Sequence, residues 1–156
     1  MKTCPSRDVI GLREWIALPD LGLANLRAKI DTGARTSALH ATDIVEFERD
    51  GQIWVRFNAW FGNLVQPSQQ ACEAPVIDCK RIKSSTGHVQ ERYVIRTSLI
   101  LGHQCWPVEF TLTCRKTMRY RVLLGSRALI DGGWLVDPAQ RYLQAKPDLS
   151  SVATGV

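Results

Sequence analysis

Long apolar runs are missing from this sequence, and so is an apolar leader. No stretch approaches the roughly 18–20 consecutive apolar residues that a membrane-spanning helix needs. Residues 1–8 contain no apolar core of the kind that secretory signal peptides carry. We therefore expect a cytoplasmic protein without a membrane partner.

Cysteine and histidine are scarce, with five and three residues respectively. An odd number of cysteines without a C-x-x-C pair matches neither a disulfide framework nor a zinc site built from two ligand pairs. His40, His88 and His103 lie far apart, and the H-E-x-x-H pattern of zinc proteases does not occur. We expect reduced thiols, no metal and no cofactor, unless the three histidines converge in space.

The charge balance is basic, with a formal net charge of +5. Much of the excess lies in two clusters, at residues 80–83 and 115–121. Such clusters are commonly solvated faces, but their potential also favours association with an acidic partner. Because no nucleic-acid-binding module accompanies them, we do not expect a nucleic-acid partner.

The length of 156 residues, with 45% hydrophobic and 22% charged residues, is typical of one globular domain. We predict a flexible N-terminus at residues 1–7, a single domain at residues 8–144 and a flexible tail at residues 145–156. The tail prediction rests on its small and polar residues, which bury little surface.

Alternating apolar and polar residues indicate a mainly β protein. Residues 26–31 alternate with the period of two of a half-buried strand, and Asp50-Gly51 favours a type I′ hairpin. Residues 58–72 lose the alternation and are predicted to form a long loop. Further predicted elements are a hairpin through Gly102, a short helix at residues 126–130, and strands at residues 9–18, 37–48 (as one strand or two), 53–57, 74–82, 92–101, 106–114, 120–124 and 134–138.

Asp31-Thr32-Gly33 follows the strand at residues 26–31, and a Leu-Leu-Gly segment ending at Gly125 precedes the predicted helix about ninety residues later. A carboxylate at the end of a strand has a fixed position if a tight turn holds it. The Thr32 hydroxyl can brace such a turn, and Gly33 allows a substrate or a second aspartate to approach the backbone.

Paired carboxylates can hydrolyse a peptide bond, because two of them close together share one proton. The ionised carboxylate then activates water while the protonated one donates to the scissile carbonyl. This chain has one such motif, so a complete pair requires a two-fold homodimer in which each subunit contributes one Asp31.

The pairing of Asp31-Thr32-Gly33-Ala34 with Leu-Leu-Gly resembles the retropepsin-type aspartic proteases. The sequence is still more similar to the RimB-like proteins, a bacterial family labelled ATP-dependent zinc proteases. The segments that carry this second resemblance are residues 28–40 (AKIDTGARTSALH), 73–78 (EAPVID), 92–97 (RYVIRT) and 135–138 (LVDP).

The resemblance implies a retropepsin-like β-barrel, closed or partly open, with one short helix near the C-terminus. It implies an aspartic peptidase that acts on a peptide or protein substrate, in which Asp31, Thr32 and Gly33 are catalytic. Ala34 then lies in the substrate-binding region. Family members are associated with ATP-grasp enzymes that add glutamate to proteins, which implies a ligase partner and glutamate-rich substrate tails.

The family label itself finds no support in motifs, because the chain lacks a G-x-x-x-x-G-K-[ST] nucleotide loop as well as the zinc pattern. Arg35 departs from retropepsins, which often carry an acidic residue there, and Ser126 stands where they usually have arginine. Arg35 would favour the ionised form of Asp31, bind a substrate carboxylate bidentately, or form a salt bridge to a neighbouring strand. His40 is a candidate substrate-binding or catalytic residue, since histidine titrates near neutral pH, or else a structural one.

Three functions therefore compete. The first is a homodimeric aspartic endopeptidase, and the alternative is a non-catalytic binding or regulatory module that partners a glutamate ligase. The third is a metal-dependent hydrolase that uses His40 and Asp31. For a flap over the site, the candidates are the loop at residues 58–72 and the hairpin at Asp50-Gly51.

Overall fold

Strands dominate the computed structural model, which describes residues 8–62, 65–83, 85–114 and 120–147. Within these ranges there are ten strands, one short α-helix and a single 3-10 turn at Pro19–Leu21. The prediction of a mainly β protein with a short helix near the C-terminus is therefore confirmed. The elements are β1 (Val9–Ile10), β2 (Arg13–Leu18), β3 (Leu23–Ile30), β4 (Ser37–Arg49), β5 (Gln52–Gly62), β6 (Pro67–Lys83), β7 (Val89–Leu101), β8 (Gln104–Thr113), β9 (Val122–Leu124), α1 (Ser126–Asp131) and β10 (Leu135–Val136).

Eight of the strands form one twisted sheet in the order β2-β3-β9-β4-β5-β6-β7-β8. Two additional pairings, β2–β7 and β4–β8, join strands that are not neighbours in this order. Outside this sheet, β1 pairs in parallel with β10. The β2–β7 contact consists of one residue pair, Ala17↔Ile100. We therefore describe a sheet that folds back on itself and do not call it a closed barrel.

The hydrophobic core lies along the inward face of these strands. In β3 the buried positions are Leu23, Leu26, Ala28 and Ile30, so alternation in the sequence becomes alternation of buried and exposed side chains. Phe57 and Phe110 are among the largest side chains that are fully buried. No helix in the described part of the chain is long and apolar enough to span a membrane.

Both predicted hairpins are confirmed. Asp50 and Gly51 have φ angles of 52° and 76°, as the two central residues of a type I′ turn require. Leu101 pairs with Gln104 across a turn in which Gly102 has a φ of 59°. Residues 37–49 form one strand, β4, with a register shift between Thr42 and Val45.

The prediction of a long loop at residues 58–72 is wrong. Strand β5 continues to Gly62 and β6 begins at Pro67, and these two residues pair with each other. Residues 63 and 64 lie outside the described residues. Polar residues such as Gln69 lie on exposed parts of β6, so they weakened the apolar pattern without interrupting the strand.

A buried carboxylate fastens the C-terminal segment to the start of the fold. Glu14 is completely buried, and its oxygens accept hydrogen bonds from the backbone N–H groups of Gly11 (2.8 Å), Leu143 (2.9 Å) and Gln144 (3.1 Å). Just beyond, the Lys146 ammonium lies 4.3 Å from the centre of the Trp15 ring. Of the segments predicted to be flexible, residues 1–7 and 148–156 lie outside the described residues.

We predict that Glu14→Gln lowers the free energy of unfolding by about 1.5–3 kcal/mol, because an amide cannot accept all three charge-assisted hydrogen bonds. Urea denaturation measures the change. The control is Glu48→Gln, which removes the same charge at an exposed position of β4 and should change stability by less than about 0.5 kcal/mol. Equal effects of the two substitutions would contradict the role given to Glu14.

Candidate functional site

Asp31 lies directly after β3 and is held there by β9. The two strands run in parallel, with Lys29 opposite Leu123 and Ile30 opposite Leu124. The Asp31 N–H then donates to the Leu124 carbonyl at 2.9 Å, which extends this pairing by one residue. The structure thus places the Asp31 motif and the Leu-Leu-Gly segment, about ninety residues apart in the sequence, side by side.

The turn after Asp31 fixes the direction of its carboxylate. The Gly33 N–H donates to Asp31 Oδ1 at 3.0 Å, and the Ala34 N–H donates to the Asp31 carbonyl at 3.3 Å. Asp31 is half-buried, whereas Thr32 and Gly33 are exposed. Thr32 makes no hydrogen bond to any described residue, so within one chain the bracing comes from the Gly33 N–H instead of the threonine hydroxyl.

The start of α1, which follows the Leu-Leu-Gly segment, is hydrogen-bonded to the same turn. The Ser126 N–H donates to the Ala34 carbonyl at 2.7 Å, and the Arg127 N–H donates to the Arg35 carbonyl at 3.2 Å. Gly125 lies so close that a Cβ there would be 2.6 Å from the Thr36 carbonyl oxygen. Only glycine fits this contact, which explains the Leu-Leu-Gly sequence before α1.

The Arg35 side chain makes no hydrogen bond to the described residues of this framework. Its side chain is exposed, and it forms no ion pair within 4.0 Å with any described residue. The salt bridge to a neighbouring strand, one of three roles considered for Arg35, is thus not found in the described part of the chain. A role in binding a substrate carboxylate is compatible with this exposure.

His40 lies inside the protein on β4, with 3% of its surface exposed. Its Nδ1 is 3.3 Å from the Thr113 carbonyl oxygen, and its ring centre is 6.3 Å from that of Trp60. Burial lowers the pKa of His40, the Thr113 hydrogen bond opposes this effect and the charge of Arg121 adds to it. These surroundings favour a structural role over substrate binding.

Two adjoining clefts have volumes of about 300 and 340 Å³, and Asp31 lines the smaller one. Thr36, Ser37, Lys80 and Thr111 line both, so the two clefts form one groove. The first, which we call the Asp31 cleft, is lined by Asp31, Ala34, Thr36, Ser37, Ala38, Lys80, Arg92, Thr111, Thr113 and Leu123. The second contains residues of β6, β7, β8 and α1, among them Asp78, Arg96, Glu109, Arg127 and Asp131.

Strands β6 and β7 supply the basic side chains beside Asp31, namely Lys80 and Arg92. Sequence reasoning placed Lys80 in a basic cluster but did not connect either residue with Asp31. Neither Asp50-Gly51 nor residues 58–72, the two flap candidates, line the groove in the described part of the chain.

A zinc site does not fit the side chains that the structure describes. Among them, no three His, Cys, Asp or Glu residues are close enough to share a metal ion. His40 is buried, whereas His88 and His103 are exposed. Four cysteines in these ranges are free thiols, and burial raises the pKa of Cys72 to about 11.

Comparison with known proteins defines the class as retropepsin-like. The family model described as RimB-like, retropepsin-like aspartic endopeptidase RimB, matches residues 9–147. The chain therefore belongs to the RimB-like family. A crystal structure of a protein with unknown function from Legionella pneumophila subsp. pneumophila is similar, with a TM-score of 0.73 and 31% identity over 88% of this chain and 98% of that one.

Curated relatives carry a different kind of name. A probable alpha-L-glutamate ligase of Shewanella halifaxensis is 44% identical over 86% of this chain and 29% of its own length. Proteins of the same name from Desulfotalea psychrophila and Shewanella pealeana are 40% and 43% identical, over 86% and 90% of this chain and 29% and 31% of their own lengths. The chain thus spans about three tenths of the length of these relatives.

Ser37 offers a test of the framework that holds the site. Its hydroxyl is buried and accepts a hydrogen bond from the Gly125 N–H at 3.0 Å. We predict that Ser37→Ala lowers the free energy of unfolding by about 1–3 kcal/mol, because a buried N–H loses its acceptor. Ser98→Ala is the control in urea denaturation, since the half-buried Ser98 hydroxyl bonds to no described residue. If Ser37→Ala lowers the free energy of unfolding no more than Ser98→Ala does, the Ser37 hydroxyl does not hold the framework.

His40 should make stability depend on pH. Its folded pKa lies below the value of 6.5 expected for the unfolded chain, so the unfolded state takes up the proton first as the pH falls. Stability is complete above about pH 6.5 and declines below it towards the folded pKa. Urea titrations at several pH values should show that His40→Gln reduces this decline and that His103→Gln, at an exposed position, does not. If the stability of the parent chain, His40→Gln and His103→Gln declined in parallel as the pH falls, His40 would not be the cause of the decline.

Proposed function

We propose that the protein is an aspartic peptidase whose active site combines Asp31 from two copies of the chain. The supporting observation is the position of Asp31, which the turn and β9 hold at the edge of an open groove in a retropepsin-like fold. A carboxylate held in this way needs little reorganisation before reaction.

The proposed chemistry follows from two such carboxylates facing each other. Because two negative charges at short range repel each other, only one of the two carboxylates ionises readily, and the pair shares a proton. The ionised carboxylate takes a proton from water, which attacks the peptide carbonyl, and the protonated carboxylate donates to the carbonyl oxygen. The resulting gem-diol collapses as the C–N bond breaks: the carboxylate that is now ionised takes a proton from a gem-diol hydroxyl, and the carboxyl that is now protonated gives its proton to the leaving nitrogen. Within this proposal Thr32 and Gly33 maintain the catalytic turn, and Ala34 and Arg35 border the bound peptide. His40, which was also considered for substrate binding, would act only indirectly, through its contact with Thr113, a residue that lines the Asp31 cleft.

A homodimer is part of the proposal, because one chain supplies one Asp31. A two-fold axis beside the turn would place the same surface of each subunit against the other. Each copy would then contribute one wall of the substrate groove.

Acidic protein segments are the proposed substrates, and the cytoplasm is the proposed location. The net charge of +5 would attract such segments, and this attraction should weaken as salt screens it. The curated relatives are named as glutamate ligases, which supports a setting in which this module works with a ligase of the ATP-grasp type on glutamate-rich tails.

A second candidate is a binding or regulatory module without peptidase activity. It is favoured by one observation: proteins named as ligases contain a region similar to nearly the whole of this chain. A fold does not determine its chemistry, so a retropepsin-like domain within a ligase system can serve to bind a substrate or a partner.

Asp31→Asn tests the peptidase. We predict that kcat/KM on glutamate-rich peptides falls to about a thousandth or less, because the dyad loses its base. Light scattering should show the same dimer as the parent chain. Asp50→Asn is the control, since Asp50 is exposed in a turn whose positive φ asparagine also adopts.

Undiminished cleavage by Asp31→Asn would overturn the proposal, and so would cleavage by a strictly monomeric parent chain. A parent dimer that binds such peptides without cleaving any of them would favour the binding module instead.

A further inference from the structure

Two like charges face each other across the β6–β7 ladder. Lys80 pairs directly with Arg92 in this antiparallel register, and both side chains line the Asp31 cleft. We call them the cationic pair. Like charges in directly opposed positions destabilise a sheet, so this arrangement costs free energy unless an anion lies between or beside them.

Charged pairs elsewhere on strands β6, β7 and β8 are complementary. Arg81 lies opposite Glu91 with 3.6 Å between their charged groups, and Arg96 lies opposite Glu109 with 3.2 Å. Both of these pairs gain attraction across the ladder. The cationic pair gains no such attraction, although it lines the same cleft as Asp31.

The cationic pair also lacks partners within the described residues. Neither member has an ion pair within 4.0 Å, even though Asp31 and Asp78 line the same groove. Arg92 is half-buried, and its buried Nε has no hydrogen-bond partner among the residues that the structure describes. The buried Thr113 hydroxyl in the same cleft likewise finds no partner in the described part of the chain. Polar groups left in this state are uncommon in folded proteins unless something else binds there.

We propose that the cationic pair is the subsite that holds a carboxylate group of a peptide bound in the Asp31 cleft. The Arg92 guanidinium offers a planar fork for two parallel hydrogen bonds, and the Lys80 ammonium adds a point charge from the opposite strand. This inference rests on the proposed function, and it identifies two residues that determine specificity. A carboxylate held there fixes which peptide bond reaches Asp31.

Two parts of a peptide carry a carboxylate, namely an acidic side chain and a free C-terminus. Three labelled peptides of equal length separate them: polyglutamate with an amidated end, polyglutamine with a free end, and polyglutamine with an amidated end. Binding to the full-length Asp31→Asn chain, followed by fluorescence anisotropy, avoids cleavage during the measurement. We expect tighter binding of one or both carboxylate peptides than of the neutral one.

Substitutions in that same chain then locate the subsite. Arg92→Gln should weaken binding of the carboxylate peptide about tenfold or more, and Lys80→Gln about threefold, since a bidentate charged contact is the stronger of the two. Arg92→Lys should weaken binding by an amount between those of Lys80→Gln and Arg92→Gln. Because it keeps the charge, it also serves as a second variant in case Arg92→Gln fails to fold. The control is Lys83→Gln, which removes one positive charge from an exposed residue of the same strand, on its opposite face, and should change binding less than twofold.

The inference fails if no peptide carboxylate improves binding, or if Lys83→Gln weakens binding as much as Arg92→Gln does. A parent chain that cleaves no peptide but shows Arg92-dependent carboxylate binding would refute the peptidase and retain the subsite. If Arg92→Gln cleaves the carboxylate peptides in the same preference over the neutral peptide as the parent chain does, the subsite is refuted and the peptidase is retained.

Discussion

The parallel pairing of β3 with β9 is the constraint on which the site depends. It joins segments about ninety residues apart and gives Asp31 a backbone partner in Leu124 at 2.9 Å. Closing so large a loop costs entropy, which the buried side chains of both strands help to offset. The polar contacts around Gly125 then fix the turn, so the carboxylate position follows from the packing of the core.

Much of this framework could be predicted from residues whose chemistry is local. Asp-Gly predicted a type I′ turn because two positive φ angles are needed there, and alternation predicted β3 because one of its faces is buried. The same reasoning failed for residues 58–72, where polar side chains on an exposed face hid strands that pair closely. His40 was a reasonable site candidate by residue type, but only the fold shows that it is buried.

The cationic pair could not have been found from sequence patterns. Its members meet because of the register between β6 and β7, which shifts between Val76 and Asp78. An irregularity of this kind changes which residues oppose one another and which face they occupy. Pairing register is a tertiary property, so Lys80 and Arg92 looked like ordinary surface charges. Their meeting beside Asp31 links the basic character of the chain to one groove.

If two Asp31 residues form one site, the distance between them in a crystal structure of the dimer reveals it. We expect the two carboxylates to place oxygens within hydrogen-bonding distance, about 3 Å, across a two-fold axis. Carboxylates in separate clefts that each open to solvent would contradict it.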